Sequence, residues 1–230
     1  MKILLIAGHG QGDPGACGNG FKEAELVREL AVMVESILKN YAEVTVFDTT
    51  KNMYKLLKNG GMFNFAPYNY ILELHFNAGG GYGTEILVHK NQKGISVEEA
   101  IVKNISALGF KNRGVKRRSD LLNMNNIFRK GKDYALLETC FIDSSEDIAL
   151  WNKKRYEVAL AIANGIISGF GLKSEGAEPI QELTTPNDIV WQLSQMIEIT
   201  DPKKAVFDLS AAMNENSSCY WMLRKIANKR

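Results

Sequence analysis

Two of the three histidines in the chain, His9 and His75, stand where carboxylates could join them. His9 lies just past a buried-looking apolar run, Lys2–Ala7 (KILLIA), and Glu23 opens the helical pattern that follows the next loop. In Asn69–Asn77 (NYILELHFN), strand alternation puts Glu73, His75 and Asn77 on one face and Leu72, Leu74 and Phe76 on the other, so polar groups share a face that should be interior. A single histidine in such a place is usually a satisfied structural residue. Two imidazoles and one carboxylate, here His9, His75 and Glu23, instead make the donor set of a catalytic zinc site, with the fourth position open to water or substrate. Such an ion brings the pKa of its water to about 7 and polarises a carbonyl. Glu25 and Glu73 are the rival carboxylates, and Glu73 could also orient His75 or face a substrate.

A further carboxylate, Glu138, interrupts the apolar stretch Ala135–Ile142 (ALLETCFI). Burying it is costly unless it is paired in a salt bridge or put to use. The useful role beside a metal is to take a proton from the attacking water and deliver one to the leaving nitrogen. Cys140, two residues on and on the same face by alternation, is assigned to packing. His89, at the end of Thr84–His89 (TEILVH), has no partner in this scheme and is read as a surface residue.

Several other chemistries are excluded. Gly10-Gln11-Gly12-Asp13-Pro14-Gly15 spells GxGxxG after a strand, but the loop runs on through Gly20 instead of opening a helix, and the acid at Asp48 lies too far along for a dinucleotide site. The basic run Lys111, Arg113, Lys116, Arg117, Arg118 is read as a solvated loop that could meet anionic wall polymers or peptide carboxylates; it lacks the interleaved aromatics of a nucleic-acid surface. A formal net charge of +2 over 230 residues gives no broad cationic field, so no nucleic-acid partner is expected. Three cysteines without a CxxC pair fit a reducing compartment rather than a disulfide framework. The apolar run at the N-terminus breaks at Gly8-His9-Gly10, too short for a signal-peptide core, and no stretch nears the ~20 apolar residues of a membrane helix, so synthesis in the cytoplasm without membrane insertion is expected.

The elements that must position these groups alternate up to about residue 172. Strand patterns at Lys2–Ala7, Glu43–Asp48, Asn69–Asn77, Thr84–His89 and Tyr134–Ile142 alternate with helical patterns at Glu23–Leu38, Lys51–Leu57, Val97–Leu108 and Trp151–Phe170. Asn112–Asn126 is mixed, with a candidate strand at Leu121–Met124. This predicts an α/β domain over residues 1–172 on a mixed, mostly parallel, twisted sheet flanked by helices. Residues 173–184 read as a linker, and residues 185–230 as a small all-helical unit with capping signals at Thr185-Pro186 and Thr200-Asp201-Pro202. Its Trp191, Tyr220 and Trp221 leave three readings open: a packing core, a cell-wall-binding surface, or the seam of a homodimer.

Three blocks, GHGQGDPGACGNGFKEAELVREL (residues 8–30), LELHFNAGGGYGTEIL (72–87) and ALLETCFIDSSED (135–147), resemble in order the zinc-dependent N-acetylmuramoyl-L-alanine amidases of phage endolysins and bacterial autolysins. The resemblance spans roughly residues 2–170. It implies that His9, Glu23 and His75 hold zinc, selecting Glu23 from the rival carboxylates, and that Glu138 is catalytic. It implies the substrate as well: peptidoglycan, cut at the amide between the lactyl group of N-acetylmuramic acid and the first L-alanine of the stem peptide. Asn77 and Asn112, in or near these blocks, are expected to contact substrate together with Glu73. The missing export signal favours an endolysin that acts on the wall after release. The rivals are a zinc peptidase cutting within the stem peptide and a wall-binding module without catalysis.

Overall fold

A computed structural model describes residues 1–10 and 12–174. The expected linker from residue 175 onward and the helical C-terminal unit, with its wall-binding and dimer readings, lie outside the described residues. The elements, in chain order, are β1 (Lys2–Ala7), β2 (Cys17–Gly18), β3 (Phe21–Lys22), α1 (Glu23–Leu38), β4 (Glu43–Val46), α2 (Met53–Lys58), β5 (Tyr70–Asn77), β6 (Thr84–His89), α3 (Ser96–Ser106), β7 (Asn112–Arg118), α4 (Leu122–Arg129), β8 (Asp133–Phe141) and α5 (Ser145–Phe170). Six strands form one sheet in the order β4-β1-β5-β8-β6-β7, and β2 and β3 make a small separate ribbon. The pairs β4–β1, β1–β5, β5–β8 and β6–β7 are parallel and β8–β6 is antiparallel, so the sheet is mixed and mostly parallel, as expected.

Both sheet faces are covered, which is why β1 reads as an unbroken apolar run. Ile3 and Leu5 of β1 enter one core with α1, α3 and α5, while Leu4 and Ile6 enter a second with Met53 of α2 and Met124 and Ile127 of α4. From β1 the chain passes through α1 on the first face to β4, then through α2 on the second face to β5, on the other side of β1. That reversal opens a crevice past the carboxyl ends of β1 and β5, where open α/β sheets bind their ligands.

Five expectations are corrected. The candidate strand at Leu121–Met124 is the start of helix α4: Met124 and Ile127 share one buried helical stripe, and that packing outweighs the poor helix propensity of Asn123, Asn125 and Asn126. Of the basic run, Arg113, Lys116, Arg117 and Arg118 lie not in a loop but on β7, paired with β6 at the edge of the sheet. His89 is not a surface residue: it is 8% exposed, and its ring stacks on Phe128 with centroids 3.7 Å apart. Cys140 is buried in packing as expected, but a bulge in the β5–β8 ladder sets Asn77 opposite Phe141 where His75 faces Glu138, and it turns Cys140 into the core with α1, α3 and α5. Helix α5 also begins earlier than its apolar period suggests, because the Ser144 side chain accepts a bond from the Asp147 N–H and caps it.

Candidate active site and metal centre

Glu23 is the first residue of α1 and is 3% exposed. An acid at that end of a helix is favoured by the helix dipole. Its Oε1 accepts from the Phe76 N–H at 3.0 Å and lies 2.8 Å from His75 Nδ1; its Oε2 accepts from the Ala16 N–H at 2.9 Å and lies 3.0 Å from His9 Nε2. The carboxylate thus ties together the β1 loop, β5 and α1. The two imidazoles meet edge to face with centroids 4.9 Å apart. One ligand atom from each of His9, Glu23 and His75 lies within 4.8 Å of the others, so the three could hold a metal ion. Glu25, the rival carboxylate, is turned to solvent and paired with Lys22 at 3.1 Å.

Each imidazole has a carboxylate on its other nitrogen. For His9 it is Asp13, whose Oδ2 lies 3.1 Å from Nδ1 and which is itself fixed by the Gly15 N–H and the Asn52 amide, each at 3.1 Å. For His75 it is Glu73, 3.0 Å from Nε2, which also accepts from the Tyr134 hydroxyl at 2.5 Å and from the Asn123 amide. Glu73 is 4% exposed with both oxygens engaged, so it orients His75. Two glycines make the close approach possible: a Cβ on Gly8 would come within 2.4 Å of the His75 ring, and one on Gly15, at φ +68°, within 2.7 Å of Glu23 Oε2. Gly15 of the false dinucleotide motif, with Gly8 just before it, therefore lets Glu23 and the His75 ring lie against backbone.

Glu138 sits on β8 directly opposite His75 on β5 and opposite Glu85 on β6. Its Oε2 is buried and has no hydrogen-bond partner among the described residues. Burial pushes its carboxyl up to about 7, opposed by the charge of His75 and reinforced by Glu23 and Glu85. Burial would raise Glu23 too, but hydrogen bonds from His75 and His9 overcome it and hold that carboxyl below its usual range. Burial would lower His75, and bonds to Glu23 and Glu73 reverse this and raise it. The Glu23 carboxylate thus keeps its charge between two imidazoles that hold on to their protons, protons a bound metal ion would displace, and a protonatable carboxyl, Glu138, stands beside them. Two imidazoles, one carboxylate and an orphaned buried oxygen next to them suit zinc by donor type.

The expected substrate contacts are more dispersed. The Asn77 amide donates to Glu85 Oε1 at 3.1 Å, at the rim of the site. Asn112 is exposed at the start of β7, where its Oδ1 accepts from the Gly114 N–H at 2.8 Å. Asp13, Asn52, Asn123, Tyr134 and Glu85 were not singled out by sequence. Only Asp13, within the loop block after His9, and Glu85, breaking the apolar strand TEILVH, carry a sequence signal.

The fold and site together define an α/β domain with a His–His–carboxylate trio at the carboxyl edge of its parallel strands. Comparison with known proteins gives this class its family. Residues 3–168 match the N-acetylmuramoyl-L-alanine amidase family, and the chain belongs to it. It is 33% identical over 195 residues to the endolysin of Bacillus phage SPP1, covering 78% of this chain and 70% of that one. It is 29% identical to the probable autolysin PH of Staphylococcus aureus, covering 73% of this chain and 38% of that longer protein. Among solved structures, the catalytic domain of the CD27L endolysin targeting Clostridia difficile superposes with a TM-score of 0.60 at 25% identity, over 73% of this chain and 97% of that one. The catalytic domain of the amidase CwlV from Bacillus (Paenibacillus) polymyxa shares the fold with a TM-score of 0.60 at 24% identity, over 75% of this chain and all of that one. The chain is therefore a peptidoglycan amidase, a hydrolase acting on the bond between N-acetylmuramic acid and L-alanine.

Proposed function

We propose that the protein is an endolysin-type amidase in which His9, Glu23 and His75 hold zinc and Glu138 is the catalytic carboxylate. Zinc bound there would supply a Lewis acid for the amide carbonyl and an activated water near neutral pH. Glu138 takes the proton of the attacking water on its carboxylate and returns it to the alanine nitrogen as the amide breaks, leaving a free lactyl carboxylate and a free amino terminus. Asp13 and Glu73 fix the orientation of His9 and His75. Asn77 and Asn112 flank the path of the stem peptide.

The observation that carries the reading is the buried, unpartnered Glu138 Oε2 on the strand beside His75. The endolysin reading, with action on the wall after release, rests on likeness to the phage SPP1 relative. No helix among the described residues is long and apolar enough to cross a membrane. The test is digestion of purified walls by the zinc-loaded protein with mass spectrometry of the products. New muramic lactyl groups and alanine amino termini are expected; cuts between stem residues would make it a peptidase, and binding without products a wall-binding module.

A further inference from the structure

Four side chains cross the sheet at the edge that carries the site. They are Asn77 at the end of β5, Glu138 on β8, Glu85 near the start of β6 and Arg113 near the start of β7. Glu85 is the centre of the row. Its Oε1 accepts from Asn77 at 3.1 Å and its Oε2 from Arg113 Nε at 2.9 Å, and its side chain is only 11% exposed. The Arg113 guanidinium lies 4.9 Å over the ring of Phe141 and keeps 31% of its side chain open to solvent.

Arg113 differs from the other arginines of β7. Arg117 donates to the carbonyls of Lys90 and Gln92, and Arg118 is paired with Asp120. Arg113 spends only Nε on Glu85; its two terminal nitrogens meet no hydrogen-bond acceptor among the described residues. Neutralising Glu85 would need one donor. A planar fork held by its Nε and stacked on an aromatic ring, with its far end free and half-buried, is the form in which arginine receives a carboxylate.

We infer that Arg113 receives the α-carboxylate of the second stem-peptide residue, so that the enzyme prefers stems in which this group is free over stems in which it is amidated; the inference rests on the amidase reading. In peptidoglycan the residue after the alanine is a D-glutamate joined onward through its γ-carboxyl, which leaves the α-carboxylate as a side group. That carboxylate lies roughly 7 Å from the scissile carbonyl, one Cα-to-Cα step of ~3.8 Å plus the flanking bonds. Arg113 Nε reaches Glu85 on β6, the strand hydrogen-bonded to that of Glu138, and the guanidinium lies 4.9 Å from the ring of Phe141, three residues beyond Glu138 on β8. With neighbouring strands ~4.8 Å apart, that places Arg113 on the length scale of the stem-peptide carboxylate.

The test uses the zinc-loaded full chain and two muramoyl tripeptides that differ only in a free or an amidated α-carboxyl on the second residue. Wild type should favour the acid by roughly 10-fold or more in kcat/KM, the effect of a charge-assisted bond. Arg113→Gln should bring the ratio close to one, and Arg113→Lys should restore part of it. A merely structural role for Arg113 would lower both substrates equally and keep the ratio. Equal turnover of the two by wild type, or an unchanged ratio in Arg113→Gln, overturns the inference. Should that variant fold poorly, calorimetric binding of the two free tripeptide products to wild type decides in its place, with tighter binding of the acid expected and equal binding contradicting it. Cleavage of both substrates at any ratio upholds the amidase reading, so the two can fail separately.

Discussion

His9 leaves the sheet on a loop whose backbone is held at φ 63°, whereas His75 stands on a regular strand in the middle of the sheet. The His9 arm is kept in shape from outside: Arg28 gathers the carbonyls of Gly8, His9 and Thr49, and Asp13 is braced by Asn52. The His75 arm is kept from beneath by a buried network of Glu73, Tyr134 and Asn123 that belongs to the core itself. The proposed metal centre thus joins a loop half, braced from outside, to a rigid half rooted in the core, through Glu23. Damage to the rigid half should cost the fold as well as the metal; damage to the loop half should cost chiefly the metal.

The largest effect is expected from Glu73→Ala, which orphans the Tyr134 hydroxyl, the Asn123 amide and His75 in one step. Loss of a partner from a buried charged network costs on the order of 3–5 kcal/mol, read as a fall in the urea midpoint at unchanged slope. Next comes Asp13→Ala, which should weaken zinc binding about 10–100-fold in competition with a chromophoric chelator while shifting stability by no more than ~1 kcal/mol. If Asp13→Ala unfolds the protein, or Glu73→Ala leaves stability intact, the contrast between the arms is wrong. Gly15→Ala should sit between a pure metal and a pure stability defect. Its φ of +68° and the contact with Glu23 Oε2 predict roughly 1–3 kcal/mol of local strain, read as faster hydrogen exchange in the loop.

The smallest effect concerns a buried carboxyl outside both arms. Glu98 contacts the Tyr70 hydroxyl and the Gln92 amide, with no cation among the described residues, and burial raises its pKa, whereas Glu73 is lowered because bonds to His75 outweigh its burial. A raised folded pKa means that the folded state holds its proton longer than the unfolded chain. The stability from Glu98 is therefore full below the unfolded value of about 4.3 and is lost as pH rises through the folded one. The Glu73 contribution has the opposite sign and is lost as pH falls. Glu98→Gln should flatten the decline of thermal stability above that pH and leave zinc affinity unchanged.

The loop half was the more legible in sequence because its residues are packed into one block: a strand end, a histidine, glycines and an acid opening a helix. His75 and its rival Glu73 were legible through strand alternation, which held along β5. The supports of the rigid half were hidden. Asn123 lies on α4, where LLNM fits a strand as readily as a helix, and only the burial of Met124 and Ile127 decides between them. The bulge that sends Cys140 to the opposite core, the stacking of His89 on Phe128 and the pairing of Arg113 with Glu85 all arise between segments distant in the chain, where periodicity carries no information.

The central claim is that one trio holds the metal and a separate carboxylate, Glu138, moves the proton. Zinc content and wall-product analysis, measured together on wild type, His75→Ala and Glu138→Ala, test it most directly. The expected result is one zinc per chain in wild type and in Glu138→Ala, with turnover falling in the latter by roughly 10²–10⁴-fold, and neither zinc nor turnover in His75→Ala. A Glu138→Ala protein that still releases alanine amino termini at the wild-type rate, or a His75→Ala protein that keeps its full zinc, would contradict it.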